Sequence, residues 1–236
     1  MVKLSDVSFI QKGKGKDLVF LHGYGSSKEA FSAQISYFSR FFRVTAIDFL
    51  GFGKSQSLSQ PFSVADYADW TIQTLELLGV QTPYAVAHSF GCRVAVKMAG
   101  ECGYPFQKLL LTGPAGVILN RGFAYQLKVW TYRVLKKIAP TYAETHFGSA
   151  EYRALSGVMK ESYKKIVNED LRACAAKVLC EVLLVEGEED TVTTMKEAQA
   201  YLQSFPKAKL KTIGGGHFAF AENPVAFNLI TEGFFL

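Results

Sequence analysis

The sequence has few cysteines and few histidines, four of each. The cysteines form no Cys-x-x-Cys pair and have no histidine at zinc spacing, so neither a disulfide framework nor a structural zinc site is expected. We predict reduced, mostly buried thiols and no metal. The four cysteines are Cys92, Cys102, Cys174 and Cys180.

Long apolar runs are also missing, and this excludes a membrane-spanning helix. The first residues, Met1 to Asp6, lack the apolar segment and small-residue cleavage site of a secretory signal, which favours a cytoplasmic location. No repeat or low-complexity tract interrupts the chain. Its 236 residues, 49% of them hydrophobic, are enough for one domain with a substantial core, and we predict a single domain over 1–236.

One segment has the layout of a strained turn that presents a nucleophile. An apolar run from Tyr84 leads into a turn with a single serine, Ser89, and a helical pattern follows. Such a turn needs small neighbours, and these are Ala87 two residues before the serine and Gly91 two residues after it. The spacing predicts Ser89 as the nucleophile.

A nucleophilic serine needs a base, and only four histidines are available. His88 adjoins the serine, where its ring would point away from the hydroxyl, and His146 lies in a polar, irregular stretch. His22 ends an apolar strand and enters a glycine-containing loop that is better suited to presenting backbone N–H groups. His217, in a glycine-rich loop before the last helix, is therefore the predicted base.

A third group must orient the base, and an acidic turn follows the buried strand near residue 185. Asp190 is the preferred acid of this turn, with Glu188 and Glu189 as alternatives. Asp48 ends an earlier strand but precedes the serine. It is better placed to hold the Gly51-Phe52-Gly53 turn.

Strand and helix patterns alternate along most of the chain, which predicts an α/β fold with a mainly parallel sheet covered by helices on both faces. The predicted strands are Val7 to Gln11, Leu18 to Leu21, Val44 to Asp48, Tyr84 to Ala87, Leu109 to Thr112, Leu179 to Glu186 and Lys209 to Ile213. The predicted helices are Glu29 to Arg40, Val64 to Leu78, Phe90 to Glu101, Thr194 to Phe205 and Val225 to the last residue.

The order of these motifs resembles that of the α/β-hydrolase superfamily over nearly the whole chain. The matching parts are His22-Gly23-Tyr24-Gly25, Asp48 to Ser55, Ala87 to Gly91, Asp190, and His217 with the residues after it. The resemblance implies Ser89 as nucleophile, Asp190 as acid and His217 as base. It also implies oxyanion N–H groups from Tyr24 and Phe90. Ala87 replaces the commoner glycine, and the N-terminal part is short enough for the sheet to lack one strand.

Residues 115–172 break the alternation, because helical patterns dominate there and strand patterns are missing. The resemblance implies a helical cap insertion at this place. The segment contains ten basic and five acidic residues, and its formal charge equals the +5 of the whole chain. The excess charge fits a solvated helical surface. It also fits guidance of an anionic substrate such as a carboxylate, a coenzyme A thioester or an acyl carrier protein. No motif supports nucleic-acid binding.

We expect a cofactor-free serine hydrolase that cleaves a small-molecule ester or thioester through an acyl-enzyme. The alternative within the superfamily is hydrolysis of a carbon–carbon bond in a vinylogous diketone. Against this alternative, Phe218 stands where that subfamily commonly has tryptophan. A haloperoxidase-like side activity is a further option, and a non-catalytic binding protein on the same fold is the alternative outside enzymes. The acyl group, the leaving group and the oligomeric state are not specified by the sequence.

Overall fold

The computed structural model describes residues 2–119, 155 and 157–236. In this part of the chain, seven strands form one sheet in the order β1-β3-β2-β4-β5-β6-β7. The strands are β1 (Phe9–Lys12), β2 (Asp17–Leu21), β3 (Arg43–Ile47), β4 (Tyr84–His88), β5 (Lys108–Thr112), β6 (Glu181–Gly187) and β7 (Ala208–Ile213). Strand β1 pairs with β3 in antiparallel orientation, and the other neighbours are parallel. The predicted α/β fold class is confirmed.

Helices cover both faces of the sheet. They are α1 (Ser32–Phe38), α2 (Val64–Leu77), α3 (Phe90–Gly100), α4 (Gly157–Val167), α5 (Arg172–Ala175), α6 (Met195–Leu202), α7 (Ala219–Glu222) and α8 (Pro224–Phe235). Short 3-10 turns occur at Leu4–Asp6 and Lys28–Phe31.

The core divides into two layers because successive side chains of a strand point to opposite faces. In β2, Val19 and Leu21 pack in the layer that contains α2 and α3, whereas Leu18 and Phe20 pack in the layer that contains α1 and α8. All four side chains are fully buried. Strands buried on both faces explain the nearly continuous apolar runs in the sequence.

Several predicted boundaries shift by one to three residues in the structure, and two of these shifts have visible local causes. The helix predicted from Glu29 to Arg40 opens as the 3-10 turn Lys28–Phe31 and is α-helical only from Ser32. The backbone N–H and the ammonium group of Lys28 both bind the Asp48 carboxylate, which holds the chain at this point. Strand β6 begins at Glu181 rather than at Leu179, whose side chain is 86% exposed.

The predicted cap, 115–172, contains helix α4 and ends where α5 begins. Residues 120–154 and 156, among them His146, lie outside the described residues. None of the helices described is both long and apolar enough to cross a membrane. All four cysteines are free. Cys92 and Cys174 are buried, Cys180 is half-buried and Cys102 is exposed, so the thiols are less uniformly buried than expected.

Candidate active site

Ser89 occupies the sharp turn between β4 and α3. Its φ of 50° and ψ of −108° make it the one non-glycine residue with positive φ in the described chain, a conformation that costs of order 1–3 kcal/mol. The turn is tight because Gly91 approaches β2, and a Cβ atom there would lie 2.3 Å from the carbonyl oxygen of Leu21. The backbone N–H of Ser89 donates to the Thr112 carbonyl at 3.1 Å. The strained turn therefore places the serine just beyond the carboxyl end of β4.

His217 links Ser89 to Asp190 through two hydrogen bonds. The Ser89 hydroxyl donates to Nε2 of His217 at 3.0 Å, and Nδ1–H of His217 donates to Oδ2 of Asp190 at 2.7 Å. Ser89 follows β4, His217 follows β7 and Asp190 follows β6. Because these strands are parallel, their carboxyl ends lie at the same end of the sheet. The structure thus brings together the three residues singled out in the sequence.

Asp190 is held by the turn that follows it. Its Oδ1 accepts from the backbone N–H groups of Val192 at 2.7 Å and Thr193 at 3.0 Å, and its Oδ2 accepts from the Thr193 hydroxyl at 2.8 Å. Burial alone would raise the pKa of Asp190, but the hydrogen bonds from His217, Thr193 and Val192 outweigh it. The pKa of Asp190 therefore lies well below its usual range, and the carboxylate is ionised.

The alternative acids are positioned elsewhere. Glu188 and Glu189 are exposed, and the Glu188 side chain accepts from the Thr212 hydroxyl. Asp48 is fully buried. It binds Lys28 and the backbone N–H of Lys54, so it holds the turn after β3 as expected.

Two other histidines are buried beside the site, and neither reaches the Ser89 hydroxyl. Nδ1–H of His22 donates to the Gly23 carbonyl at 2.7 Å, so its Nε2 accepts from the Phe49 N–H at 3.0 Å. Burial is the main cause of the lowered pKa of His22, about 4. Nε2–H of His88 donates to the His217 carbonyl at 2.9 Å, and burial lowers its pKa to about 3. Both rings are neutral and structural in this arrangement.

The loop after β2 lies directly against the nucleophile turn. A Cβ atom on Gly23 would be 2.7 Å from Nδ1 of His88 and 3.5 Å from Cβ of Ser89. The rings of Tyr24 and Phe90 contact each other at 5.6 Å between centroids. Phe90 opens helix α3, so its N–H has no acceptor within the helix.

A cavity of about 980 Å³ opens above Ser89 and His217. Its described lining includes the Gly23–Ser26 loop, residues of α3 and α4, and the loops after β5 and β6. Tyr24 and Phe90 both lie in this lining, and the Tyr24 hydroxyl donates to the Met159 carbonyl of α4 at 3.1 Å. The cavity is large enough for a small organic substrate.

The alpha/beta hydrolase family model matches residues 18–228. The chain belongs to this family. Its curated relatives include (E)-2-((N-methylformamido)methylene)succinate hydrolase of Acinetobacter baylyi, 34% identical over 83 residues. These residues are 35% of this chain and 32% of that protein, so the matched segment spans about a third of the relative.

Two further comparisons cover nearly the whole chain. 2-hydroxymuconate semialdehyde hydrolase of Pseudomonas putida is 25% identical over 247 residues, which cover 94% of this chain and 88% of the relative. The structure of the esterase EaEST from Exiguobacterium antarcticum has a TM-score of 0.78 at 18% identity, over 97% of this chain and 94% of that one. The two sequence relatives named above are hydrolases, and the structural likeness shows the shared fold.

The structure adds two residues that the sequence patterns did not single out. Thr193 supports Asp190 through its N–H and its hydroxyl. The sequence signal for Thr193 was its position three residues after an aspartate. At this spacing an aspartate side chain typically accepts hydrogen bonds from the turn that follows it. Arg93 lies in the cavity lining, and only its position four residues after Ser89 on a helix pointed to it.

Proposed function

We propose that this hydrolase cleaves a carboxylic ester or thioester through an acyl-enzyme. The supporting observation is the unbroken hydrogen-bond chain from Ser89 through His217 to Asp190, which begins at a strained turn and faces the cavity. A serine hydroxyl is a weak nucleophile by itself. An adjacent neutral imidazole, oriented by a carboxylate, makes the hydroxyl reactive.

In the first half-reaction, Oγ of Ser89 attacks the substrate carbonyl as Nε2 of His217 takes the hydroxyl proton. Asp190 stabilises the imidazolium, and the N–H groups of Tyr24 and Phe90 bind the oxyanion. His217 then gives the proton to the leaving alcohol or thiol, and the acyl-enzyme remains.

In the second half-reaction, His217 takes a proton from water, and the resulting hydroxide attacks the acyl-enzyme carbonyl. The proton returns to Oγ of Ser89 as the carboxylic acid leaves. The scheme uses no cofactor. The occupant of the cavity is a small molecule, and the basic residues of the predicted cap favour an anionic one.

A fluorophosphonate probe tests this assignment. It should add once per molecule, and peptide mass spectrometry should locate the adduct on Ser89. Ser89→Ala should abolish labelling, whereas the exposed Ser57→Ala serves as a matched control that retains it. Labelling that persists in Ser89→Ala would remove the basis for the proposal.

The second candidate is carbon–carbon bond hydrolysis of a vinylogous diketone. The observation in its favour is the full-length relative that hydrolyses 2-hydroxymuconate semialdehyde. Comparing kcat/KM for simple esters with kcat/KM for such a diketone separates the two candidates. Faster turnover of the diketone by several orders of magnitude would favour the second.

A further inference from the structure

Arg93 places a buried positive charge in the wall of the candidate catalytic cavity. It is the fourth residue after Ser89 on helix α3, about 6 Å along the helix axis. Its side chain is part of the cavity lining, although only 8% of the residue is exposed. No other lysine or arginine belongs to the described lining.

One side of the guanidinium is fixed by the protein. Nη1 donates to the carbonyl oxygens of Ile166 at 3.0 Å and Glu169 at 2.7 Å, at the end of α4 and just beyond it. Nε and Nη2 have no hydrogen-bond partner in the described structure. Both atoms nevertheless remain accessible to solvent. The edge formed by Nε and Nη2 is therefore held in place and open.

Neighbouring carboxylates attract this charge from a distance but form no ion pair with it. Glu169 forms its ion pair with Lys97 at 2.6 Å, and Asp170 forms its ion pair with Arg172 at 2.8 Å. Within the described residues, Arg93 has no ion pair. A buried charge without a counterion is costly, which favours the binding of an anion beside it.

Other arginines of this chain use the same edge to bind carboxylates. In Arg43, Nε donates to Oδ1 of Asp17 at 2.6 Å and Nη2 donates to Oδ2 at 2.8 Å. Arg172 binds Asp170 through the same two nitrogens. The two N–H groups are parallel, and their spacing matches the two oxygens of a carboxylate.

We propose that the open edge of Arg93 binds a carboxylate carried by the substrate, so that the hydrolase prefers acyl chains that end in a carboxylate. This inference rests on the proposed ester hydrolysis and names its substrate class. The one acidic side chain in the described lining, Glu197, accepts from the N–H and the hydroxyl of Thr194, so its carboxylate is engaged away from Arg93.

The test compares two matched esters, mono-4-nitrophenyl adipate and 4-nitrophenyl hexanoate, in which a methyl group replaces the carboxylate. The measured quantity is the ratio of their kcat/KM values. Wild type should prefer the adipate, and Arg93→Met should lower the ratio on the order of 10-fold to 100-fold, the range for a charged hydrogen bond. Arg40→Met removes the same charge from an exposed position outside the cavity lining and should leave the ratio unchanged.

A purely structural role for Arg93 would give a different pattern. Loss of its bonds to the end of α4 would slow both esters by the same factor and leave the ratio at its wild-type value, which would overturn the inference. If Arg93→Met does not fold, Arg93→Lys decides. It keeps the charge but lacks the two parallel N–H groups, and the ratio should still fall.

Binding without turnover separates this inference from the proposed function. In Ser89→Ala, calorimetry should show binding of monomethyl adipate that weakens on the order of 10-fold to 100-fold when Arg93→Met is added. If neither ester is hydrolysed by wild type but this loss of binding occurs, ester hydrolysis is wrong and the carboxylate site stands. Equal affinity with and without Arg93 would overturn the carboxylate site alone.

Discussion

Replacing Glu186 with glutamine is expected to flatten the pH dependence of folding stability. Glu186 lies in β6 and is fully buried, and neither carboxylate oxygen meets the distance and angle of a hydrogen bond to another group. Burial, together with the nearby charge of Asp190, raises the pKa of Glu186 to about 9. The side chain is therefore a neutral carboxylic acid at neutral pH.

The sign and size of the effect follow from this shift. The unfolded chain releases the Glu186 proton near the usual pKa of 4.5, whereas the folded protein releases it near 9. Between these values the folded state binds one more proton, so stability falls as pH rises, by about 1.4 kcal/mol per pH unit. At pH 7 the accumulated loss is at most about 3.5 kcal/mol. Glutamine has no proton to lose and removes this slope.

Urea unfolding of both proteins between about pH 5.5 and pH 8.5 measures the effect. The stability of Glu186→Gln relative to wild type should rise by about 1.4 kcal/mol per pH unit. Glu181→Gln, at the exposed start of the same strand, is the control and should follow wild type. Parallel curves for wild type and Glu186→Gln would refute the assignment of a neutral buried acid.

Three further substitutions test other parts of the molecule. Asp190→Asn should lower kcat by about 10³-fold to 10⁴-fold with unchanged circular dichroism, because His217 loses the partner that fixes its tautomer, and a loss below tenfold would contradict this. Asp48→Ala should cost about 3–5 kcal/mol in urea unfolding, because it leaves the buried Lys28 ammonium without its buried counterion. Gly91→Ala should lower the unfolding free energy by about 1–3 kcal/mol, because its Cβ would press against the carbonyl of β2, and wild-type stability would show that the turn relaxes.

Local patterns were sufficient for the strands and the nucleophile turn. The apolar runs before Ser89 and Asp190 report strands buried on both faces, and the small residues around Ser89 report the tight turn. The order of the motifs then supplied the partners of the serine, because parallel strands bring distant loops to one edge. The helix boundary near Lys28 was missed because an ion pair with Asp48, distant in sequence, decides it.

The burial and the hydrogen-bond partners of individual charged side chains could not be read from the sequence. By residue type alone, Arg93 and Glu186 would be expected on the surface. The packing around them places Arg93 in the cavity wall and makes Glu186 a neutral acid. Similarly, the acidic turn offered three carboxylates, and the bonds from Thr193 and His217 select Asp190 among them. Such choices depend on side-chain contacts across the fold rather than on spacing along the chain.

The most direct test of the proposed mechanism is kcat for wild type, Ser89→Ala, His217→Ala and the double mutant on one ester that the enzyme hydrolyses. Because the two side chains share a single proton transfer, each single substitution should remove most turnover, and the double mutant should be hardly worse than either. Losses that multiply would show that the two residues act independently. Turnover close to wild type in Ser89→Ala would contradict the proposed nucleophile.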